Sequence, residues 1–278
     1  MGKLYEKQNR IISWQAHRGG GAHEAPDNTI VANKYAWELG GIPENDIRAT
    51  KDGVIVCLHD ETLARTTTAP ESIMNLPVSA LTFEEIRMWD AGVKFNEKFR
   101  GEKIPSIEEL FVLMKDHPEK MAYLDLKNIN LKKLGQLIDV YEINGQVIFT
   151  HNVQESCIIM KSITTDVRTM QWIGGTADQI KDKFDTVLKS GFKGLDQVQI
   201  HLNANINKCD EWLYEIDVEF LKYALTVTKE FRVELEVLPF EFDQNLINQL
   251  LEIGIDWYAT DEPARFLHCL NTWRNSAE

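Results

Sequence analysis

The chain has 278 residues, 44% hydrophobic and 26% charged, the balance of a globular protein with material for a sizeable core. Its 30 basic and 43 acidic residues leave a formal charge of −13, a field that repels nucleic acid and anionic membrane surfaces and excludes both as bulk partners. An anionic substrate must therefore meet locally concentrated positive charge, from Arg, Lys or a metal ion.

Cys57, Cys157, Cys209 and Cys269 are far apart and form no C-x-x-C pair, so they read as reduced thiols in partly buried positions. The stretch Met1–Arg10 is polar and charged, without the apolar core of a secretion leader. No run approaches the roughly 18 apolar residues needed to cross a bilayer. The expectation is a cytoplasmic protein without stable membrane insertion, and self-association into a homo-oligomer is left open.

In chain order, short apolar runs alternate with amphipathic stretches. Strands are predicted at 12–17, 43–48, 121–127, 147–151, 167–173, 194–201, 233–240 and 255–260. Between most of them lie helical patterns with legible start signals. Asp27 is placed to cap a helix that runs through Ala36 and stops at Gly40-Gly41. Ser106 with Glu109, Thr82 with Glu85 and Thr176 with Gln179 have capping-box spacing. Asp243 precedes the stripe Leu246, Ile247, Leu250 and Leu251, which ends at Gly254. Eight strands separated by helices imply a closed parallel (β/α)8 barrel.

One segment departs from the alternation. Between Asp46 and His59 there is no room for a crossover helix, and Asp52-Gly53 between extended arms predicts a hairpin. The second strand would rise above the rim, turn, and bring His59 back beside Glu44 and Asp46. A long excursion follows over 60–106, with Phe83, Ile86 and Trp89 at helical spacing. It reads as an insertion within one domain spanning 1–278.

The chemistry-bearing residues fall at the C-terminal ends of the predicted strands, where barrel active sites lie. Glu44 and Asp46 are two apart on a strand and share a face, as do Asp125 and Lys127. Three converging carboxylates need a cation between them, and oxygen-only ligands favour a hard divalent ion, Mg²⁺ or Ca²⁺, over zinc. Arg18 and Lys127 supply the positive charge for phosphate oxygens. His17 and His59 are candidates for the acid and base of phosphodiester cleavage, because histidine titrates near neutrality.

The strings AHRGG-x-AHEAPDNT and E-N-D-I-x-x-T-K-D-G-x-x-V-x-x-H-D-E-T-L-x-R-T-T resemble the glycerophosphodiester phosphodiesterase family. Asp125-Leu126-Lys127 is similar to its E-x-K motif, and Thr260-Asp261-Glu262-Pro263 to its closing T-D-x-P. The resemblance is dense over 14–68 and sparser to Pro263.

It implies a TIM barrel with a subdomain inserted after the second strand and its hairpin. It implies His17 and His59 as the acid–base pair, Arg18 and Lys127 as phosphate contacts, and Glu44, Asp46 and Asp125 as ligands of one Mg²⁺ or Ca²⁺. The implied substrate is a small glycerophosphodiester, such as glycerophosphocholine or glycerophosphoethanolamine, cleaved to glycerol 3-phosphate and an alcohol. By analogy with related phospholipases, His17 is the base and His59 the acid.

The chain departs from the family at four places. Asp27 and Asp125 stand where the family usually has Glu, Leu238-Pro239-Phe240 where it often has W-T-V-N, and Thr150-His151 where it often has S-F. The last two shape the pocket around the leaving group. Trp172 is taken as a substrate contact, with Gln199, His201, Glu236 and Phe240 as further pocket candidates. Two rival readings remain: cleavage of a lipid phosphodiester of lysophospholipase D or sphingomyelinase D type, and an inactive phosphodiester-binding barrel.

Overall fold

A computed structural model of the chain describes residues 9–205 and 212–276. Its nine strands are β1 (Ser13–Ala16), β2 (Ile42–Ala49), β3 (Ile55–Cys57), β4 (Ala122–Asn128), β5 (Val147–His151), β6 (Arg168–Ile173), β7 (Gln197–Leu202), β8 (Glu234–Pro239) and β9 (Trp257–Thr260). They form one sheet in the order β1-β9-β8-β7-β6-β5-β4-β2-β3, and β1 also pairs with β2. That last pairing closes eight parallel strands into a barrel. The strand β3 runs antiparallel to β2 on its outer side, joined by a turn at Gly53 with φ +77°. The predicted hairpin is therefore present, and glycine permits that left-handed turn without a Cβ clash.

The helices are α1 (Ile30–Glu38), α2 (Glu71–Met74), α3 (Phe83–Arg87), α4 (Ile107–Met114), α5 (Leu131–Tyr141), α6 (Gln154–Ile163), α7 (Ala177–Lys189), α8 (Val218–Glu230), α9 (Gln244–Ile253) and α10 (Pro263–Asn275). All three capping boxes form, at Thr82/Glu85, Ser106/Glu109 and Thr176/Gln179. Asp243 caps α9, its Leu246, Ile247, Leu250 and Leu251 are buried, and Gly254 ends it in the left-handed conformation. Each such buried side chain contributes about 1.5–3 kcal/mol by leaving water.

The Asp27 cap is a correction. Thr29 caps α1 instead, accepting from the Ala32 N–H. The reason is Asn28, whose left-handed backbone (φ +57°) turns the chain once more before the helix starts. Asp27 is thereby freed to face Arg18 and Arg65.

Inside the barrel, Tyr123, Ile148 and Met170 form an interior layer, and the main core lies between strands and helices. The 60–106 excursion carries α2 and α3 and its own apolar cluster. Leu63, Ala69, Val78, Leu81, Ile86 and Ala91 pack there against Val56 and Leu58 of the hairpin. It returns to the barrel where Ser106 bridges Val56.

Cys57, Cys157 and Cys269 are buried free thiols, while Cys209 and the first eight residues lie outside the described residues. Among the described residues no helix is long and apolar enough to cross a membrane.

Candidate active site

The C-terminal mouth of the barrel opens into a cavity of about 290 Å³. His17, Arg18, Glu44, Asp46, His59, Asp125, Lys127 and Trp172 all line it, so every residue singled out for chemistry in the sequence reaches one space. The hairpin is what brings His59 there, since the Leu58 N–H donates to the Asp46 carbonyl at 2.8 Å. Arg48 on β2 then fixes the turn, its Nε and Nη2 donating to the His59 carbonyl at 2.9 and 2.7 Å.

Glu44, Asp46 and Asp125 are buried, with ligand oxygens all within 4.8 Å of one another. Register explains the grouping: Asp46 lies directly beside Asp125 across the β2–β4 ladder, and Glu44 is one pleat below on the same face. The Lys127 ammonium sits 3.0 Å from Asp46 Oδ1 and also pairs with Asp125.

Burial raises the Glu44 carboxyl above its ordinary range, and the Asp46 charge raises it further. Burial likewise raises Asp125. Burial works against Asp46 too, but Lys127 and His59 outweigh it and hold that carboxyl low. Ionised, the three carboxylates and one ammonium leave two uncompensated negative charges in a buried, all-oxygen cluster, which suits one divalent cation.

Each histidine is held by a carboxylate. His17 Nδ1 lies 2.7 Å from Asp261 Oδ1, and His59 Nδ1 lies 2.7 Å from Asp60 Oδ1. Burial lowers the His17 pKa, but the hydrogen bond to Asp261 and the charges of Glu44, Asp261 and Asp46 override it and push it up to about 9. Burial works against Asp261, but its bond to His17 and the charges of His17, His23 and Arg18 together hold it low.

An ion-pair chain joins the two halves. Arg18 Nη1 donates to Asp27 at 3.1 Å, Arg65 Nη1 donates to the same Asp27 oxygen at 2.7 Å, and Arg65 Nε donates to Asp60 at 2.6 Å. Arg18 itself adopts φ +57°, which turns its N–H onto Glu44 Oε2 at 2.7 Å. A left-handed arginine is uncommon, and here the conformation serves the site. Its Nε is buried without a hydrogen-bond partner. The hydroxyl of Thr150, another cavity-lining group beside Asp125, is in the same state.

Opposite the carboxylates stands an aromatic wall. Trp172 donates its Nε1 to Asp125 Oδ1 at 3.1 Å, and its ring stacks on His201 with centroids 5.2 Å apart. Phe240 meets His201 edge-on at 5.3 Å. Gln199 also lines the cavity. Glu236 is a correction: it does not line the pocket but lies fully buried beneath it.

Sequence reading assigned no role to Asp60, Arg65, Asn28 or Asp261. Asn28 donates to Asp46 Oδ2 at 2.9 Å and accepts from the Asp46 N–H at 2.8 Å, holding that residue by its carboxylate and its backbone. A signal existed for each: Asp60 adjoins His59, Asn28 stands in the first motif and Arg65 in the second, and Asp261 follows the last strand at the same rim.

The chain matches the model of the glycerophosphoryl diester phosphodiesterase family over residues 17–265. It is 48% identical over 103 residues to a glycerophosphodiester phosphodiesterase of Caldanaerobacter subterraneus subsp. tengcongensis, covering 36% of this chain and 40% of that one. Over 133 residues it is 38% identical to glycerophosphodiester phosphodiesterase 1 of Homo sapiens, covering 47% of this chain and 38% of that one. The matched stretches thus span under half of these relatives.

A crystal structure of a glycerophosphodiester phosphodiesterase from Agrobacterium tumefaciens superposes with a TM-score of 0.70 at 21% identity, covering 93% of this chain and 100% of that one. An Oleispira antarctica phosphodiesterase in complex with the product sn-glycerol-3-phosphate gives 0.68 at 18% identity, covering 96% and 99%. Likeness at this identity establishes the shared barrel. With the fold, the rim constellation and the family match in agreement, the chain belongs to the glycerophosphoryl diester phosphodiesterase family.

Proposed function

We propose that the protein hydrolyses a glycerophosphodiester, such as glycerophosphocholine or glycerophosphoethanolamine, to glycerol 3-phosphate and an alcohol. The carrying observation is that two histidine–carboxylate pairs, three clustered carboxylates and two cationic side chains converge on one cavity. Glu44, Asp46 and Asp125 would hold one divalent cation, Mg²⁺ or Ca²⁺, which when bound supplies Lewis-acid polarisation of a phosphoryl oxygen.

The remaining work falls to the chain's own groups. Arg18, held on one side by Asp27, presents an unused Nε donor to a phosphate oxygen, and Lys127 adds a point charge. Asp261 occupies Nδ1 of His17, which leaves Nε2 to take the proton of the attacking hydroxyl or water. Asp60 does the same for His59, whose Nε2 then serves the departing alcohol. Glu44 and Asp46 are two of the charges that keep His17 protonated, so neutralising them moves His17 toward the base role.

The chain is read as one domain with 60–106 inserted. Arg65 supports the insertion as part of the site, because it reaches both Asp27 and Asp60. The charge of −13 supports an enzyme acting on a dissolved diester, with no nucleic-acid partner.

A second reading, cleavage of a lipid phosphodiester, is favoured by one observation. Phe240, 37% exposed, shares the mouth with Leu238 and Trp172.

The test is release of glycerol 3-phosphate from glycerophosphocholine, and of lysophosphatidate from lysophosphatidylcholine, with Mg²⁺, Ca²⁺ or EDTA. Turnover of the first substrate, abolished by EDTA, is expected. Activity that survives EDTA would remove the metal from the account.

A further inference from the structure

Beneath the cavity lies a charged group that the chemistry does not touch. Glu236 on β8 is 0% exposed and accepts four hydrogen bonds. Gln15 and Gln199 donate to Oε1, while Gln197 at 2.7 Å and the Tyr123 hydroxyl at 3.0 Å donate to Oε2. The donors come from β1, β4 and β7, so one carboxylate ties together strands from across the barrel. A carboxylate has about four lone-pair sites, and four donors face them, the Tyr123 hydroxyl being shared with Gln197 Oε1 at 3.0 Å. Among the described residues no cation hydrogen-bonds it, and neutral dipoles carry the charge.

A buried ion of this kind is a poor way to stabilise a barrel, since apolar side chains of similar volume serve as well or better. Its effect on orientation is more specific. Ionised, Glu236 can only accept, so Gln199 must turn its amide nitrogen inward. The Gln199 oxygen then faces out, 3.0 Å from His201 Nε2. An acceptor at that distance requires Nε2 to carry the proton, so Nδ1 is left as a lone pair. Nδ1 lies over Gly174, where a Cβ would come within 2.7 Å of it. That space exists only because residue 174 is glycine. The oriented ring in turn stacks on Trp172, which donates to Asp125.

We propose that Glu236 is a positioning residue for substrate selection. Through Gln199 it fixes the tautomer and seat of His201, and so the hydrogen-bonding character of the wall that receives the leaving alcohol. The proposal rests on the phosphodiesterase reading for its substrates. Its mechanism, an acceptor-only carboxylate dictating an amide and then an imidazole, stands on geometry alone. Burial agrees with a neutral ring, holding the His201 pKa down to about 4.

The experiment measures kcat and KM for glycerophosphocholine and glycerophosphoethanolamine in the wild type, Glu236→Gln and Gln199→Met. Nitrogen-15 NMR of the histidine side chains reads the His201 tautomer in the same three proteins. Glu236→Gln keeps the volume but replaces acceptor sites by an NH₂ donor. Gln199→Met removes the intermediary and leaves Glu236 its other donors, which guards against a first variant that fails to fold.

Both variants are expected to change the ratio of the two kcat/KM values by about fivefold or more, chiefly through KM. The His201 signals are expected to leave the pure Nε2–H pattern. An equal loss on both substrates, with the tautomer unchanged, would overturn the proposal and leave Glu236 a structural residue. Should the wild type turn over neither diester, the phosphodiesterase reading fails, while the NMR comparison still decides whether Glu236 sets the His201 tautomer.

Discussion

His17 Nδ1 and Asp261 Oδ1 lie 2.7 Å apart although 244 positions separate them in the chain. The barrel accounts for it. The first and last strands are neighbours, pairing Ala16 with Thr260, and each residue is the first after its strand. Closure of the sheet thus assembles an imidazole–carboxylate pair from the two ends of the sequence.

Asp261→Asn keeps a carbonyl oxygen but removes the charge that favours the His17 imidazolium. The His17 titration in the metal-free protein, now near pH 9, is expected to move down. By analogy with other histidine–aspartate pairs, kcat falls by about 10²–10⁴. NMR titration of His17 together with steady-state rates checks both. An unshifted titration would show that Asp261 does not set this pKa.

Asp125 is one methylene shorter than the glutamate expected from the family motif, yet register places it directly beside Asp46. Asp125→Ala is expected to weaken divalent-cation binding by about tenfold or more. Calorimetric titration with Mg²⁺ and Ca²⁺ measures it, and unaltered affinity would place the third ligand elsewhere.

Arg65 sits on the inserted segment and holds Asp27 and Asp60 at once. Arg65→Ala frees the carboxylate behind His59 and the one behind Arg18, loosening both catalytic sides. A fall in kcat/KM of about tenfold, with little change in thermal stability, is expected because the side chain is substantially exposed. A wild-type rate would mean that the insertion leaves the chemistry untouched.

Glu236 makes stability depend on pH. Burial raises its pKa to about 7 in the folded protein, against 4.5 as the ordinary value. Between those values the folded state binds more protons than the unfolded one, so stability falls as pH rises through the window. Below about 4.5 the group is neutral in both states, and above 7 it is ionised in both. The span corresponds to a difference on the order of 3 kcal/mol. Urea unfolding of the wild type and Glu236→Gln from pH 4.5 to 7.5 is expected to show a steeper decline in the wild type. Parallel curves would contradict it.

How much of this was legible in the sequence differs residue by residue. Glu44 and Asp46 could be placed on one face because strand side chains alternate, and the Asp52-Gly53 turn placed His59 beside them. The capping boxes were readable because they are local. Asp27 misled for the opposite reason: a left-handed Asn28 moved the cap to Thr29, and backbone handedness at a non-glycine residue leaves little trace in sequence.

The partners of the histidines depend on closure of the barrel and on the seat of the insertion, which bring Asp261 and Arg65 in from afar. Glu236 read as a pocket candidate near the rim. Its inward direction becomes clear only once Gln15, Tyr123, Gln197 and Gln199 are seen to converge on it.

The most direct test of the central claim is glycerol 3-phosphate release from glycerophosphocholine by His17→Ala, His59→Ala and the double variant, each folded and metal-loaded. Two histidines acting as one acid–base unit predict that either single change removes about 10²-fold or more in kcat, and that the double variant is far less impaired than the product of the two. Turnover at the wild-type rate in either single variant would contradict the account.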